Sequence, residues 1–438
     1  MTVLRSICAV LMTTALALVY VGSGAGVADA STACPPAGST DALFPAQAAA
    51  RYDLTPLVER GFTGAGVRVA QIQIGASVDE PTLQQYAQCV GVGPVPLFQH
   101  VVGGGATPPP STEAMMDAEI VAGLAPGIDR LDVFTVSQAG DFVTDLASTL
   151  AAALDPANTG GQRVDIISIS YEMCEPQLPI DLAPVDTLLQ QAAQSGVWVL
   201  KGAGDSGSSD CIPKGTCFAP EKYLAVSWPA SSPWVTALGG TMLTAGMQLT
   251  DTGVTWSDVA ACFGTGGGVS TRYSAPSWQA NVPGGLSQPM RMVPDAASLA
   301  GSPNFAILLP PPPDTPTWFP IGGDSATGPF WSGAMAIVLS GLRAEGVTPP
   351  GYLNPVLYQL ASDPATYARV FRDVTQGSND LLQLGCCDAG TGYDLTTGLG
   401  EVDFAELAAA LGLPPAVTPA GPPVIPAAPV VLQPTFTG

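Results

Sequence analysis

Histidine is almost absent: the 438 residues contain one, His100. Metal sites built on two or three imidazoles are therefore excluded, and any histidine-based triad would depend on that position. Basic residues are also scarce, 14 Lys+Arg against 36 Asp+Glu, for a formal charge of −22. No basic patch is available to displace counterions from nucleic-acid phosphates or to meet an anionic membrane. Charged residues make up only 11% of the chain, while 47% are hydrophobic, which excludes a mostly disordered polymer. Glycine and proline are plentiful, 50 and 43 residues. The length admits two or three average domains, or one large α/β domain with extensions.

Long apolar runs are missing except at the start. Residues 1–30 read as a secretory signal: Arg5 gives the positive start, Ile7–Val21 the apolar centre, and Ala28-Asp29-Ala30 the small-x-small cleavage site. The run is too short for a retained membrane anchor, and no other segment approaches the ~20 apolar residues that span a bilayer. A secreted chain, working as a monomer away from membranes once the signal is removed, is thus expected. Removal of the signal takes Cys8 and leaves Cys34, Cys89, Cys174, Cys211, Cys217, Cys262, Cys386 and Cys387. An even number in an exported chain, with no CxxC pair, points to disulfides. Cys211–Cys217 is the expected local loop, and the adjacent Cys386 and Cys387 are expected to take different partners.

From Val67 the sequence alternates strand and helix. Strands are expected at Val67–Ile74, Leu131–Val136, Val164–Ser170 and Val197–Leu200, and helices at Glu113–Leu124, Phe142–Leu154 and Pro184–Gln194. Such alternation implies βαβ units, hence a three-layer α/β fold with a mainly parallel central sheet flanked by helices. Pro329–Glu345 is expected to be a long apolar helix and Val402–Leu411 a short final one. The expected organisation is a signal (1–30), a lead-in (31–51), one catalytic domain (52–413) and an uncharged Pro-rich tail (414–438).

On the 113–124 helix, Glu113 and Asp117 share a stripe with the core-type residues Ile120, Val121 and Leu124, while Glu119 points the other way. Two like charges one turn apart disfavour the helix. Partly desolvated, they would share a proton, as an acid-range general base does. The plainer alternative is that acids in a first turn simply meet the helix dipole. Two GDS sequences follow, Gly204-Asp205-Ser206-Gly207 and Gly323-Asp324-Ser325-Ala326. Both resemble the GDSG of chymotrypsin-like peptidases, but that fold is all-β and His100 lacks the expected neighbours. Ser325 precedes a helix whose first turn tolerates Pro329, so its hydroxyl would sit where helix N–H groups favour negative charge. A serine there is equally well an N-cap.

In order and spacing, Glu113-x-x-x-Asp117, Gly204-Asp205-Ser206-Gly207 and Gly-x-Ser325-Ala-x-x-Pro329 resemble the sedolisins, serine-carboxyl peptidases of subtilisin-like fold. Ala118–Pro126, Ile167–Ser170, Pro229–Thr241, Gly266–Ser270, Pro294-Asp295 and Gly351–Leu360 extend the resemblance from about Tyr52 to Leu411. It implies Ser325 as nucleophile, Glu113 as general base oriented by Asp117, and a protonated Asp205 donating to the oxyanion. Reference carboxyl pKa values near 4 then set an acid working range. Ser168, Ser170 and Gly266, Gly267 and Gly268 are the implied edges for an extended peptide substrate. One structural Ca²⁺ is implied at Asp373, Val374, Gly390, Gly392 and Asp394, an all-oxygen set on glycine-rich turns. The chain departs from the family pattern at Asp324, where a Thr is usual, at Gln73, where many members carry Glu, and at Tyr171, where Trp is usual. A long prodomain is usual too, and only Ser31 to about Arg51 lies between signal and match. The expected function is an exported, acid-acting endopeptidase. The alternatives are a tripeptidyl-peptidase and a non-catalytic binding or surface protein of the same fold.

Overall fold

The β-branched runs of the sequence form the centre of a ten-stranded sheet in the computed structural model, which describes residues 34, 42–178, 181–216, 222–311 and 315–415. The expected signal and nearly all of the Pro-rich tail lie outside the described residues. Strands of the sheet, in chain order, are β1 (Arg68–Ile72), β2 (Leu97–Val102), β3 (Arg130–Val136), β4 (Ile166–Ile169), β5 (Trp198–Gly202), β6 (Thr236–Met242), β7 (Val254–Thr255), β8 (Ala296–Leu299), β9 (Phe371–Arg372) and β10 (Glu401–Val402). They lie in the order β9-β10-β8-β6-β5-β4-β1-β3-β2, with β7 on β6. All pairings are parallel except β9–β10 and β6–β7.

Alternation along the strands divides the core into two layers, because successive side chains leave opposite faces. Val69, Leu131, Val133, Ile166 and Leu200 face a layer that holds α1 (Pro45–Arg51), α2 (Thr55–Glu59), α3 (Glu80–Cys89), α4 (Thr112–Leu124) and, centrally, α7 (Thr327–Ala344). Ala70, Ile72, Phe134, Ile167, Ile169 and Val199 face α5 (Phe142–Leu154) and α6 (Ala183–Gln194). Strands covered on both faces read as continuous apolar runs, as Val164–Ser170 does.

Most expected elements occur within two residues of their expected bounds. The last is different: Glu401–Val402 forms β10 and the final helix is confined to Phe404–Ala410. Nor is the lead-in separate from the domain. α1 packs on the core, and the fully buried Arg51 pairs with Glu401 at 2.7 Å, so a boundary at 51/52 would cut through packed structure.

The cysteine expectations are corrected. Cys211 bonds Cys174 instead of Cys217, Cys34 bonds Cys89, and Cys386 and Cys387 bond each other. Cys262 is also disulfide-bonded, and Cys217 lies outside the described residues. Sequence proximity misled because the short strand Met173–Cys174 brings a distant loop to Cys211. Among the described residues no helix is long and apolar enough to cross a membrane.

Candidate active site

Where β1, β4 and β5 end at their C-terminal edge, the N-termini of α4 and α7 converge, the usual crevice of a parallel sheet. α4 begins with the Ser111 hydroxyl accepting from Ala114 N at 3.0 Å, a normal N-cap. That cap fixes Glu113 in the first turn and Asp117 one turn later. α7 is preceded by a tight turn, Asp324–Ala326, so Ser325 sits just ahead of the helix. Gly323 enters this turn with φ 118°, and the Asp205 carboxylate lies 3.3 Å from where a Cβ would stand. Only glycine suits that combination.

The Ser325 hydroxyl, 8% exposed at the residue level, donates to Ser170 O at 3.4 Å. Ser170 Oγ lies 2.9 Å from Asp117 Oδ1 and 3.3 Å from Ser325 O, joining the two helix starts. Burial pushes Glu113 up to about 7, opposed by the charge of Lys214 and by the Ser325 hydroxyl, and reinforced by Asp205 and Glu172. Its Oε1 has no hydrogen-bond partner among the described residues. Asp117 is pushed well above the usual carboxylate range by burial and by Glu113, against hydrogen bonds from Ser170 and Gln73. The pair therefore retains protons well above pH 4, and the acid-range base expected from reference values is moved upward.

Gln73 and Tyr171, two of the departures from the family pattern, both enter this network. Tyr171 Oη donates to Gln73 Oε1 at 3.0 Å, and Gln73 Nε2 donates to Asp117 Oδ2 at 2.7 Å. Their effect is to hold Asp117 in one orientation.

Asp205 lies beside the turn but is not arranged as a hydrogen-bond donor. Its Oδ1 accepts from Asp324 N at 2.7 Å and its Oδ2 from Lys214 Nζ at 2.9 Å. Lys214 also pairs with Glu172 at 2.5 Å, and Glu172 with Lys201 at 2.6 Å. The lysines hold Glu172 at about 2 despite its burial. Sequence reasoning did not include Lys201, Lys214 or Glu172. A signal was present: the chain has three lysines, and two of them flank Gly204-Asp205-Ser206-Gly207.

The Asp324 side chain turns away from the Ser325 hydroxyl, toward Thr265 and Gly266. Fully buried, its Oδ2 accepts from Thr265 Oγ1 at 2.8 Å and from Gly266 N at 3.2 Å. Burial and the nearby Asp205 push its carboxyl well above the usual carboxylate range, which favours the neutral form.

The five residues expected to form substrate edges are placed differently from one another. Ser168 lies inside β4, paired with Gln71 of β1 on one side and Leu200 of β5 on the other. Gly268 pairs with Val293 across the antiparallel strands Gly268–Ser274 and Met290–Val293. Gly266 N is taken up by Gly204 O at 2.7 Å, and a Cβ on Gly267 would stand 2.0 Å from Leu395 O. Ser168 is thus enclosed on both sides and Gly267 is closely packed, whereas Gly268 is paired on one side only; Ser170, beyond the end of β4, is the one that reaches Ser325.

His100 is remote from all of this, on the edge strand β2, bonded to Asp132 Oδ1 at 2.8 Å. Ser206 of the first GDS sequence donates to Ile212 O at 3.1 Å. Neither belongs to the Ser325 cluster.

Far along the chain, Asp373 and Asp394 meet at one glycine-rich loop. Gly392 N donates to Asp373 Oδ2 at 2.9 Å and Gly390 N to Asp394 Oδ2 at 3.0 Å. Tyr367 Oη donates to Asp373 Oδ1 at 3.1 Å. Val374 follows Asp373 and is fully buried. Among the described residues no lysine or arginine forms an ion pair with either carboxylate, and no cluster of three or more His, Cys, Asp or Glu is placed to hold a metal.

No protein-family model matches the chain. Kumamolisin of Bacillus sp. (strain MN-32) is 33% identical over 376 residues, 81% of this chain and 63% of that protein. The solved structure of Pseudomonas sedolisin, a serine-carboxyl proteinase complexed with two molecules of pseudo-iodotyrostatin, aligns with a TM-score of 0.69. That match is 26% identical and covers 85% of this chain and 98% of that one. The chain belongs to the sedolisin family. Its fold is accordingly the subtilisin-like α/β fold of the sedolisins. The tripeptidyl-peptidase sed5 of Aspergillus fumigatus is 32% identical over 270 residues, 55% of this chain and 42% of its own length. The chain thus spans 63% and 58% of the first two curated sedolisins it matches.

Proposed function

We propose that this sedolisin is a serine-carboxyl peptidase that cleaves peptide bonds through an acyl-enzyme on Ser325. The observation that carries the reading is the meeting of the Ser325 hydroxyl with a buried Glu113–Asp117 pair, in a cluster that contains no histidine. The Ser325 oxygen attacks the peptide carbonyl while its proton passes to Glu113. Asp117, fixed by Ser170 and Gln73, positions Glu113 and shares its protons. Glu113 then protonates the leaving amine, and water releases the acyl group by the reverse sequence. Glu113 is a base only when ionised, so turnover rises as pH passes upward through the region near 7 where burial holds it.

The substrate is a peptide or protein, cut internally by a monomeric, exported enzyme; the disulfides suit an oxidising compartment. The likeness to a tripeptidyl-peptidase favours tripeptide release as a second reading. The inward turn of Asp324 supports the catalytic reading over a non-catalytic one, since no carboxylate is aimed at the Ser325 hydroxyl from that position. One Ca²⁺ would be held by Asp373 and Asp394 with the carbonyls of Val374, Gly390 and Gly392. Two carboxylates gathered without a cationic partner fit such an ion, whose chemistry is to cross-link the loop.

The test is hydrolysis of denatured protein, internally quenched peptides and tripeptidyl amides by the purified chain beside Ser325→Ala and Glu113→Gln. Both variants are expected to lose about 1,000-fold or more in kcat. Equal traces in all three preparations would remove the peptidase reading, and cleavage of tripeptidyl amides alone would exchange endo- for exopeptidase action.

A further inference from the structure

Glu172 lies two residues past Ser170, in the short stretch between β4 and the strand Met173–Cys174. Its side chain is 9% exposed and meets two of the three lysines in the chain. Lys201, fully buried near the end of β5, donates to Glu172 Oε2 at 2.6 Å and to Gly202 O at 2.5 Å. Lys214 pairs with Glu172 Oε1 at 2.5 Å and donates to Asp205 Oδ2 at 2.9 Å. Asp205 Oδ1 in turn accepts from Asp324 N at 2.7 Å, the amide directly before Ser325. One carboxylate thus joins three pieces of backbone: the stretch 170–172, the end of β5, and the loop that carries Asp205 and Lys214. Ser325 stands between the first and the last of these. Its hydroxyl donates to Ser170 O at 3.4 Å, Ser170 Oγ lies 3.3 Å from Ser325 O, and Asp205 fixes the preceding amide.

We propose that Glu172, clamped by Lys201 and Lys214, is the positioning residue that holds Ser170 and Asp205 in place on the two sides of Ser325. The inference rests on the peptidase reading, and it gives Glu172 no contact with substrate and no proton to transfer. The β4–β5 ladder ends at the pair Ile169–Lys201. The Lys201–Glu172 bond therefore extends the tie between these strands to the residues that touch Ser325. Ser170 is a partner of both Ser325 and Asp117, so a drift of the stretch 170–172 would move the hydroxyl and the acid pair together. Attack needs those groups in one arrangement, and a small misplacement is costly in rate. A buried ion pair adds little net stability, because desolvation offsets the attraction; what it supplies here is direction.

The charges around Glu172 allow the clamp to persist into acid. Burial would raise its carboxyl, but Lys201 and Lys214 outweigh burial and hold it at about 2. Glu113, Asp210 and Asp324 also feel its charge, and burial pushes each of them up, Glu113 to about 7. Among these four acids Glu172 is the one that stays ionised in the acid range. Its folded value lies below the ordinary one, so its contribution is complete above the ordinary glutamate range and is lost as pH falls through about 2. Glu172 in turn is one of the negative charges that raise Glu113.

The experiment measures kcat and KM on an internally quenched peptide across the pH range, with thermal melts. The proteins are the parent, Ser325→Ala, Glu172→Gln, and a paired variant carrying Glu172→Met with Lys201→Met. The paired variant loses both buried charges together, so it should melt close to the parent. Its kcat is nevertheless expected to fall about 10- to 100-fold with KM little changed. Glu172→Gln should show the same loss in kcat, and its rising limb should move to lower pH, because a charge that raises Glu113 has gone. If Glu172→Gln does not fold, the paired variant carries the test. A parent-like kcat in the folded paired variant overturns the inference and leaves the peptidase reading intact, since the pair then serves structure alone. Failure of both variants to fold overturns it for the same reason. A rise in KM at unchanged kcat also overturns it, as a residue that binds substrate would behave so. Equal traces in the parent and Ser325→Ala at every pH overturn both readings.

Discussion

Asp324 is the residue at which the primary sequence and the folded chain differ most in meaning. As the neighbour of Ser325 it suggests a carboxylate repelling the oxyanion. Folded, it points into the sheet, where a Cβ on Gly240 would stand 2.2 Å from its Oδ1, so glycine makes the space it fills. A neutral acid in that space is closely mimicked by an amide. Asp324→Asn is therefore expected to change unfolding free energy little, whereas Asp324→Leu, which strips Thr265 Oγ1 and Gly266 N of an acceptor, should cost about 1–3 kcal/mol. Urea denaturation of both variants checks this, and equal losses would contradict a neutral Asp324. The placing of Ser325 ahead of α7, and of Glu113 and Asp117 one turn apart in α4, was readable in the sequence because spacing and chain order carry it. Lys214 and Glu172 were not, because an ion pair between loops has no local pattern.

At the scale of the element, α4 shows both the strength and the limit of periodicity. The stripe containing Glu113, Asp117, Ile120, Val121 and Leu124 is correct, and it does turn inward. The opposite side is also covered, since every residue from Ala114 to Leu124 is buried. Glu119, expected to point away from the core, is instead buried against the strand Phe305–Leu309 and accepts from Leu308 N at 2.7 Å. Periodicity reports which side is apolar, not how many neighbours close around the helix. Burial raises Glu119 well above its ordinary value. A folded-state pKa above the unfolded one gives stability that is complete below about pH 4 and is lost as pH rises through the folded value. Glu119→Gln removes that loss. Its melting temperature should match the parent's near pH 4 and exceed it at pH 8; the same difference at both pH values would rule the explanation out.

For the whole molecule, long-range closure is the feature least visible in the chain. Arg51 and Glu401, buried together, tie the first helix to the penultimate stretch of the described chain, and Tyr52 Oη adds a bond to Leu299 N at 2.7 Å. The loop carrying Asp373 and Asp394 closes the same end of the sheet through β9 and β10. Chelation with EDTA is expected to lower the melting temperature, and excess Ca²⁺ to restore it, through binding to the native state alone. Asp394→Asn should blunt that response. An identical melt with and without chelator, in the parent protein, would dismiss the ion.

The sequence by itself determined the alternating elements, the mainly parallel sheet, the place of Ser325 ahead of α7 and the common stripe of Glu113 and Asp117. Each of these follows from local spacing: side-chain period, cap residues, and proline or glycine at a helix start. Only the tertiary structure decided that Asp205 faces a lysine, that Asp324 is turned inward, that Ser168 is paired on both sides, and which cysteines bond. Those outcomes depend on which loops meet at the C-terminal edge of the sheet, and on how far burial there raises the energy of an unpaired charge.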